Sequence, residues 1–205
     1  MPKQVDHRDR QEHISRALWH VVDKHGWAKA TMREVAREAG VSLGQVQHYF
    51  SSRTAMLTFA MDHASAQTSS RISDRLQDLD PAGHPREVLR IVLTEMLPLH
   101  SDSRVTSRMS AAYVLEALHD EELRAQARIG MQAGRAMVER LIRQAITDGH
   151  IDDDRDPVVE TDLLLALTGF TPLLELGVID ADAALKSIDT YLDRLFTSAG
   201  DPAKL

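Results

Sequence analysis

Apolar residues recur along this chain at intervals of three and four, the period of a helix face. No stretch alternates apolar with polar residues between turn dipeptides, as a half-buried strand would. The pattern predicts an all-α protein of about nine helices. Ile14, Leu18 and Val21 or Val22 share one face of a first helix from about Asp6 to His25, which Gly26 ends. Thr31 opens a second helix: in Thr31-x-x-Glu34, a capping box, hydroxyl and carboxylate each satisfy a backbone N–H left free at the helix start. Gly40 ends it. The segment VSLGQVQHYF, Val41 to Phe50, predicts a third helix starting at Ser42, although it has a glycine near its start and only Val46 and Phe50 as clear apolar anchors. Ser51 or Ser52 caps a long fourth helix running to about Leu79, broken by Pro81, Gly83 and Pro85.

Further helices are expected over Arg86 to about Leu99, Val105 to about Leu118 and Glu121 to about Thr147. The last keeps Leu123, Ala127, Gly130, Gly134, Val138, Leu141 and Ala145 in step and closes at Gly149. After the acidic loop HIDDDRD, Asp156 and Pro157 supply a cap and a first-turn proline, the preferred order at a helix start. Two helices remain, Pro157 to about Leu176 and Ala181 to about Thr197. The eighth is apolar almost all round, from Leu163 and Leu167 to Phe170, Leu173, Leu174 and Leu176, so every side of it needs a cover. The ninth has one stripe: Leu185, Ile188, Tyr191 or Leu192, and Leu195. One chain of 205 residues covers the eighth helix only in part, which predicts a homodimer through these two helices, residues 157–198.

Between Thr31 and Phe50 two short helices meet at Gly40, the arrangement of a helix-turn-helix. Ala36 is small where the helices would cross, Gly40 accepts a left-handed conformation without steric penalty, and Val46 points back into the core. In such a unit the second helix enters the major groove while the first braces across the phosphate backbone. The side chains expected at DNA are Thr31, Arg33, Ser42, Leu43, Gly44, Gln45, Gln47, His48, Tyr49 and Arg53. Thr31 and Ser42 act as caps, and a helix N-terminus also binds phosphate. Gln45 completes Ser42-x-x-Gln45, a second capping box, so it either holds its own helix start or meets a base. Gly44 costs a helix about 1 kcal/mol relative to alanine, which makes sense where a side chain would hold DNA away. Val46 and Phe50 are assigned to the core, with Trp19 and Trp27 alongside.

The segment TMREVAREAGVSLGQVQHYFSSRTAML resembles the DNA-binding signature of TetR-type transcriptional repressors. It joins the helix-turn-helix to an aromatic pair, Tyr49 and Phe50, and to a cationic start of the next helix at Arg53. The remaining chain is similar to the TetR-type C-terminal domain. Its run EVLRIVLTEMLPL and its ending LDRLF are similar to the branch containing the choline-responsive repressors of betaine synthesis, whose members answer to many ligands. The resemblance implies a DNA-binding domain over residues 1–52 and a helical ligand-binding and dimerisation domain over 53–205. It further implies a homodimer on palindromic double-stranded operator DNA, released by a small-molecule inducer that the resemblance does not name. Two positions depart from the family pattern. Arg53 stands where the family usually has Lys, keeping the charge and adding a bidentate fork. Gln47 stands where it most often has Tyr, and a glutamine amide pairs with adenine through two hydrogen bonds worth about 1–3 kcal/mol of discrimination.

The formal net charge of −7 hides an asymmetry: Met1 to Ala60 holds 9 Lys and Arg against 6 Asp and Glu, and the remainder 15 against 25. A basic head on an acidic body fits a head that meets an anion. The absence of cysteine excludes disulfides and thiolate zinc sites. The N-terminus MPKQVDHRDRQEH lacks the apolar core of a signal peptide, and no apolar run approaches the ~20 residues of a bilayer span, so a cytoplasmic protein without membrane partners is expected. An enzyme is not expected, nor catalytic residues or a cofactor, since the sequence has no His-Glu-x-x-His, no nucleophile elbow and no glycine-rich phosphate loop. Asp152, Asp153, Asp154 and Asp156 lack the glycine and terminal glutamate of an EF-hand, so no metal is expected.

For a ligand, Glu95 follows Val88 and Ile91 on an otherwise apolar face, and Glu116 follows Met109, Ala112 and Tyr113 in the same way. A buried carboxylate needs an arginine, a hydrogen-bond partner or a cationic ligand. Arg90, Arg104 and Arg108 are possible internal partners, while Met96, Met109, Met131 and Tyr113 could wall an adaptable pocket. Two other readings stand beside the ligand-released repressor: a ligand-independent helix-turn-helix interaction module, and an activator of the same fold.

Overall fold

The computed structural model describes residues 2–196, with side chains from residue 7 onward. The expected end of the last helix at Thr197, and residues 197–198 of the expected dimer face, lie outside the described residues. Among the described residues the chain is helical and has no strand: α1 Pro2–His25, α2 Met32–Glu38, α3 Leu43–Tyr49, α4 Arg53–Leu76, α5 Pro85–Glu95, α6 Ser101–Ala117, α7 Glu121–Thr147, α8 Pro157–Leu167, α9 Thr171–Glu175 and α10 Ala181–Phe196. All nine expected helices are present, the eighth in two pieces.

Three departures from the expected bounds have a local cause. Pro172 lacks the N–H that would bond back to Thr168, and the chain there tightens into a 3₁₀ turn, Thr168–Phe170, before α9 starts with proline in its first turn. Pro98 stops α5 at Glu95 rather than Leu99. α6 starts four residues early, at Ser101, because His100 and Ser103 cap it reciprocally: the Ser103 N–H donates to His100 Nδ1 at 3.3 Å and the His100 N–H donates to Ser103 Oγ at 3.1 Å. This is a capping box in all but its residue types.

Packing divides the chain into two compact units. One holds the chain up to Thr68 together with Val105–Arg128; the other holds Ser69–Arg104 together with the chain from Ile129 on. This division differs from the boundary expected between residues 52 and 53. The first unit closes around Ile14, Leu18, Val35, Val46, Phe50, Met56, Leu57 and Met109, and the second around Leu89, Leu93, Val138, Ile142, Leu164, Ile188 and Leu192. Val46 and Phe50 are core residues as expected, as is Trp19, while Trp27 is partly buried against them.

In the second unit, charged pairs tie α5 to α10. Arg90 Nε donates to Asp189 at 2.7 Å and Arg86 Nη2 donates to Asp193 at 2.6 Å. The Arg90 guanidinium lowers the pKa of the Asp189 carboxyl against the opposing effect of burial.

Pro157–Glu175 is long and apolar enough to cross a bilayer by length and composition, which corrects the expectation that no run approached that length. It is not a span. Within it Glu160 accepts hydrogen bonds from Tyr191 and Arg155, Asp162 pairs with Arg135, and the helix breaks at Thr168–Phe170. Part of its apolar surface is nonetheless uncovered in the single chain: Val158, Val159, Leu163 and Leu173, with Leu176 and Val178 just after it, are exposed.

Candidate nucleic-acid interface

The turn between α2 and α3 is a Schellman motif. The Val41 N–H bonds to Ala36 O at 3.0 Å and the Gly40 N–H to Arg37 O at 3.3 Å, with Gly40 at φ 65°. α1 fixes this unit from outside, as His13 Nε2 meets Ala39 O at 2.9 Å and Gln11 Nε2 donates to Tyr49 O at 3.4 Å. Val35, Ala36 and Val46 are buried between the three helices.

The two helix starts are built differently. At α3 the expected box is complete: the Gln45 N–H donates to Ser42 Oγ at 3.1 Å, and the Ser42 N–H to Gln45 Oε1 at 3.0 Å. Gln45 therefore spends its oxygen on its own helix start. At α2 only half the expected box forms. Thr31 Oγ1 accepts from the Glu34 N–H at 3.2 Å, but the Thr31 N–H is already taken by Lys29 O at 2.7 Å. Glu34 turns instead to Arg37, whose hydrogen bond lowers the carboxyl pKa.

Thr31, Arg33, Ser42, Gly44, Gln45, Gln47 and His48 are exposed, and Leu43, Tyr49 and Arg53 half-buried. Tyr49 stands edge-on between two imidazoles, with ring centroids 4.8 Å from His7 and 5.2 Å from His48. A Cβ added at Gly44 would meet nothing nearer than Ser42 Oγ at 3.9 Å. Gly44→Ala should therefore raise the stability of the free protein, by up to about 1 kcal/mol, in a chemical denaturation experiment.

Arg53 is tied down. Its Nε donates to Ala30 O at 3.0 Å, its Nη1 donates to Glu116 Oε1 at 2.5 Å, and the guanidinium lies 5.5 Å from the centre of the Trp27 ring. The second Glu116 oxygen accepts from Trp27 Nε1 at 2.9 Å. These hydrogen bonds, Arg53 first and Trp27 next, lower the Glu116 pKa against a smaller opposing effect of burial.

Residues 14–58 match the family described as bacterial regulatory proteins, tetR family, and residues 85–197 match the C-terminal part of BetI-type transcriptional repressors. The chain is 31% identical over 168 residues to the HTH-type transcriptional regulator PksA of Bacillus subtilis, covering 82% of this chain and 78% of that one. The chain belongs to the TetR family. A second relative, the HTH-type transcriptional regulator BetI of Vibrio campbellii, is 24% identical over 96% of this chain and 97% of its own. The fold is shared with a Rhodococcus transcriptional regulator (TM-score 0.78, 24% identity, 92% and 97% coverage). It is also shared with a Saccharomonospora viridis regulator solved in complex with choline (TM-score 0.80, 17% identity, 91% and 96% coverage). This TetR-family chain is accordingly a helix-turn-helix transcriptional regulator of repressor type and not an enzyme. TetR-family regulators bind operator DNA, typically as dimers, and bind small-molecule ligands.

The six candidate ligand residues of this TetR-family regulator are divided between the two units. Met109 and Tyr113 are core residues of the first unit, where Glu116 holds Arg53. In the second unit Met96 and Met131 are exposed, and Glu95, only 4% exposed, accepts from Arg71 Nε at 2.9 Å and Arg75 Nη1 at 3.0 Å, with His100 Nε2 at 3.5 Å. Both carboxylates are internally paired, but not with the arginines expected: Arg90 serves Asp189, Arg104 lies by Glu175, and Arg108 serves Asp23. An open groove of about 420 Å³ in the second unit is lined by other residues, among them Leu167, Lys186, Tyr191 and Arg194. The partnership of Arg53 with Glu116 was missed because nothing in a single sequence links positions 63 residues apart.

Proposed function

We propose that this chain represses transcription as a homodimer on a palindromic operator and that a small molecule releases it, with residues 1–52 as the DNA-binding domain and 53–205 as the sensing and dimerisation domain. The observation that carries the reading is α3 itself: a short helix anchored by Val46 and Phe50 whose remaining face is exposed, polar and interrupted by Gly44. Gln47 and His48 reach into the major groove and along its edge. Thr31, Arg33, Ser42, Leu43, Gln45 and Tyr49 line the flanking phosphates, where α2 and α3 present their N-termini, and Arg53 stands beside them in its ion pair with Glu116. A gel shift with DNA from upstream of the chain's own gene tests this. A retarded band at sub-micromolar protein supports it, and no band at that concentration counts against it.

Replacing Gln47 by alanine should cost the best operator about 1–3 kcal/mol and relax base choice at one position of each half-site. Selection from a randomised operator library reads this; equal weakening on every sequence would make Gln47 a phosphate contact instead.

Each head presents few contacts, so the dimer supplies the affinity by placing two recognition helices about 34 Å apart. The exposed side chains of Leu163 in α8, Leu173 in α9 and Leu176 just after it, together with the groove beside α10, provide the surface for the mate. A stable pair needs about 800 Å² from each partner. Sedimentation at micromolar concentration should give a dimer. The inducer must favour the non-operator geometry by about 5.5 kcal/mol to move the population from 1:99 to 99:1. Choline, bound in one structural neighbour, is the first compound to add to the gel shift. Glu95, Met96, Met109, Tyr113, Glu116 and Met131 remain its candidate contacts, and a cation reaching either glutamate must displace an arginine.

A further inference from the structure

We propose that Glu116 is a positioning residue that sets operator affinity by holding Arg53 away from phosphate. The inference rests on the reading of α3 and the start of α4 as the operator surface. Only Phe50, Ser51 and Ser52 separate the two helices, so the first turn of α4 adjoins the recognition helix in sequence and in space. α4 is 24 residues long, and its N-terminus carries the positive end of the helix dipole next to a guanidinium, a natural seat for a phosphate.

Two carboxylates from the corner between α6 and α7 occupy that seat. Glu116 takes Arg53 Nη1 at 2.5 Å, and Asp120 Oδ2 accepts from Thr54 Oγ1 at 3.5 Å. Both are held from behind. Trp27 Nε1 donates to the other Glu116 oxygen, and Asp120 Oδ1 caps α7 by accepting from the Leu123 N–H at 3.0 Å. Arg53 in turn gives its Nε to Ala30 O and one ring-ward face to Trp27. A guanidinium matched by a carboxylate releases no DNA counterion of its own, and the carboxylate repels an approaching phosphate. Glu116 thus stands where a phosphate oxygen would. The pair is accessible, with 35% of the Arg53 side chain and 32% of the Glu116 side chain exposed, so exchanging one anion for the other takes side-chain rotation and no unfolding. Movement of this corner therefore alters the number of cations the head offers to DNA without touching α3.

The test is a salt titration of operator binding by fluorescence anisotropy for the full chain, Glu116→Gln, Arg53→Gln and the double variant, each with a thermal melt. Freeing one cation per head should tighten binding about tenfold at moderate salt and steepen the log–log salt slope by about 1.8 per dimer in Glu116→Gln. The double variant should lose that gain. Arg53→Gln alone should leave the wild-type slope unchanged, a readout that stays available if Glu116→Gln folds poorly. An unchanged or weaker affinity for a folded Glu116→Gln, or a shallower slope for Arg53→Gln alone, overturns the proposal. Failure of the wild-type chain to bind any operator would instead remove the repressor reading beneath it.

Discussion

Raising the salt from 50 to 200 mM should weaken the operator complex by about 10³–10⁵-fold. That range applies if the dimer neutralises about 6–10 phosphates, because each one released from its counterions contributes a slope of about −0.9. The sources of contact are modest in each head: Arg33 and His48 are exposed, and the N-termini of α2 and α3 add partial positive charge. The acidic remainder of the chain opposes DNA at long range, so attraction is confined to the basic head and falls steeply as salt screens it. Anisotropy titrations at five salt concentrations measure the slope. A slope near zero would contradict binding through the phosphate backbone and leave the helix-turn-helix as a module for some other partner.

Replacing Glu95 by alanine should destabilise the chain by about 3–5 kcal/mol, the range for removing one partner from a buried ion pair. Glu95 is 4% exposed and is the common acceptor for Arg71 and Arg75, two side chains one turn apart on α4. Without it Arg71, itself 20% exposed, keeps a largely buried charge with one acceptor gone, while Arg75, 42% exposed, turns to water. The effect should fall at the lower end of the range for that reason. Urea denaturation followed by circular dichroism reads it, and a loss below 1 kcal/mol would show that the arginines rehydrate freely.

The same site makes stability depend on pH. Burial pushes the Glu95 carboxyl up, but the hydrogen bonds from Arg71 and Arg75, aided by His100, more than reverse this and leave it below the ordinary 4.5. A carboxylate with a depressed folded pKa stabilises fully above the unfolded value, so this contribution is intact above about 4.5 and lost as pH falls through the lower folded value.

Much of the helix placement that rests on neighbours in the chain was legible in the sequence. The Ser42 and Asp156 caps and the Gly40 turn depend on residues two to five positions apart, and all formed as expected. The misses were of two kinds. Some were local chemistry overlooked, such as Pro172 breaking the eighth helix or His100 and Ser103 capping α6 without the usual residue types. Others were non-local. The periodicity that put Glu95 and Glu116 on apolar faces correctly forecast that each needs a partner, but which arginine answers depends on how helices far apart in sequence pack. The exposed polar face of α3 was readable because its polar residues interrupt an apolar rhythm. A ligand pocket has no such signature, since methionines that line a cavity and methionines that fill a core repeat at the same spacing.

Gly44 makes one further point about how such a surface is shaped. Nothing in the free chain fills the space above it, so the protein forgoes stability there for no internal benefit. On the operator reading proposed above, a DNA backbone or base edge would approach α3 there, which makes residue 44 a ruler for docking distance. Successively larger side chains introduced there would report, in lost affinity, how many ångströms separate α3 from its groove.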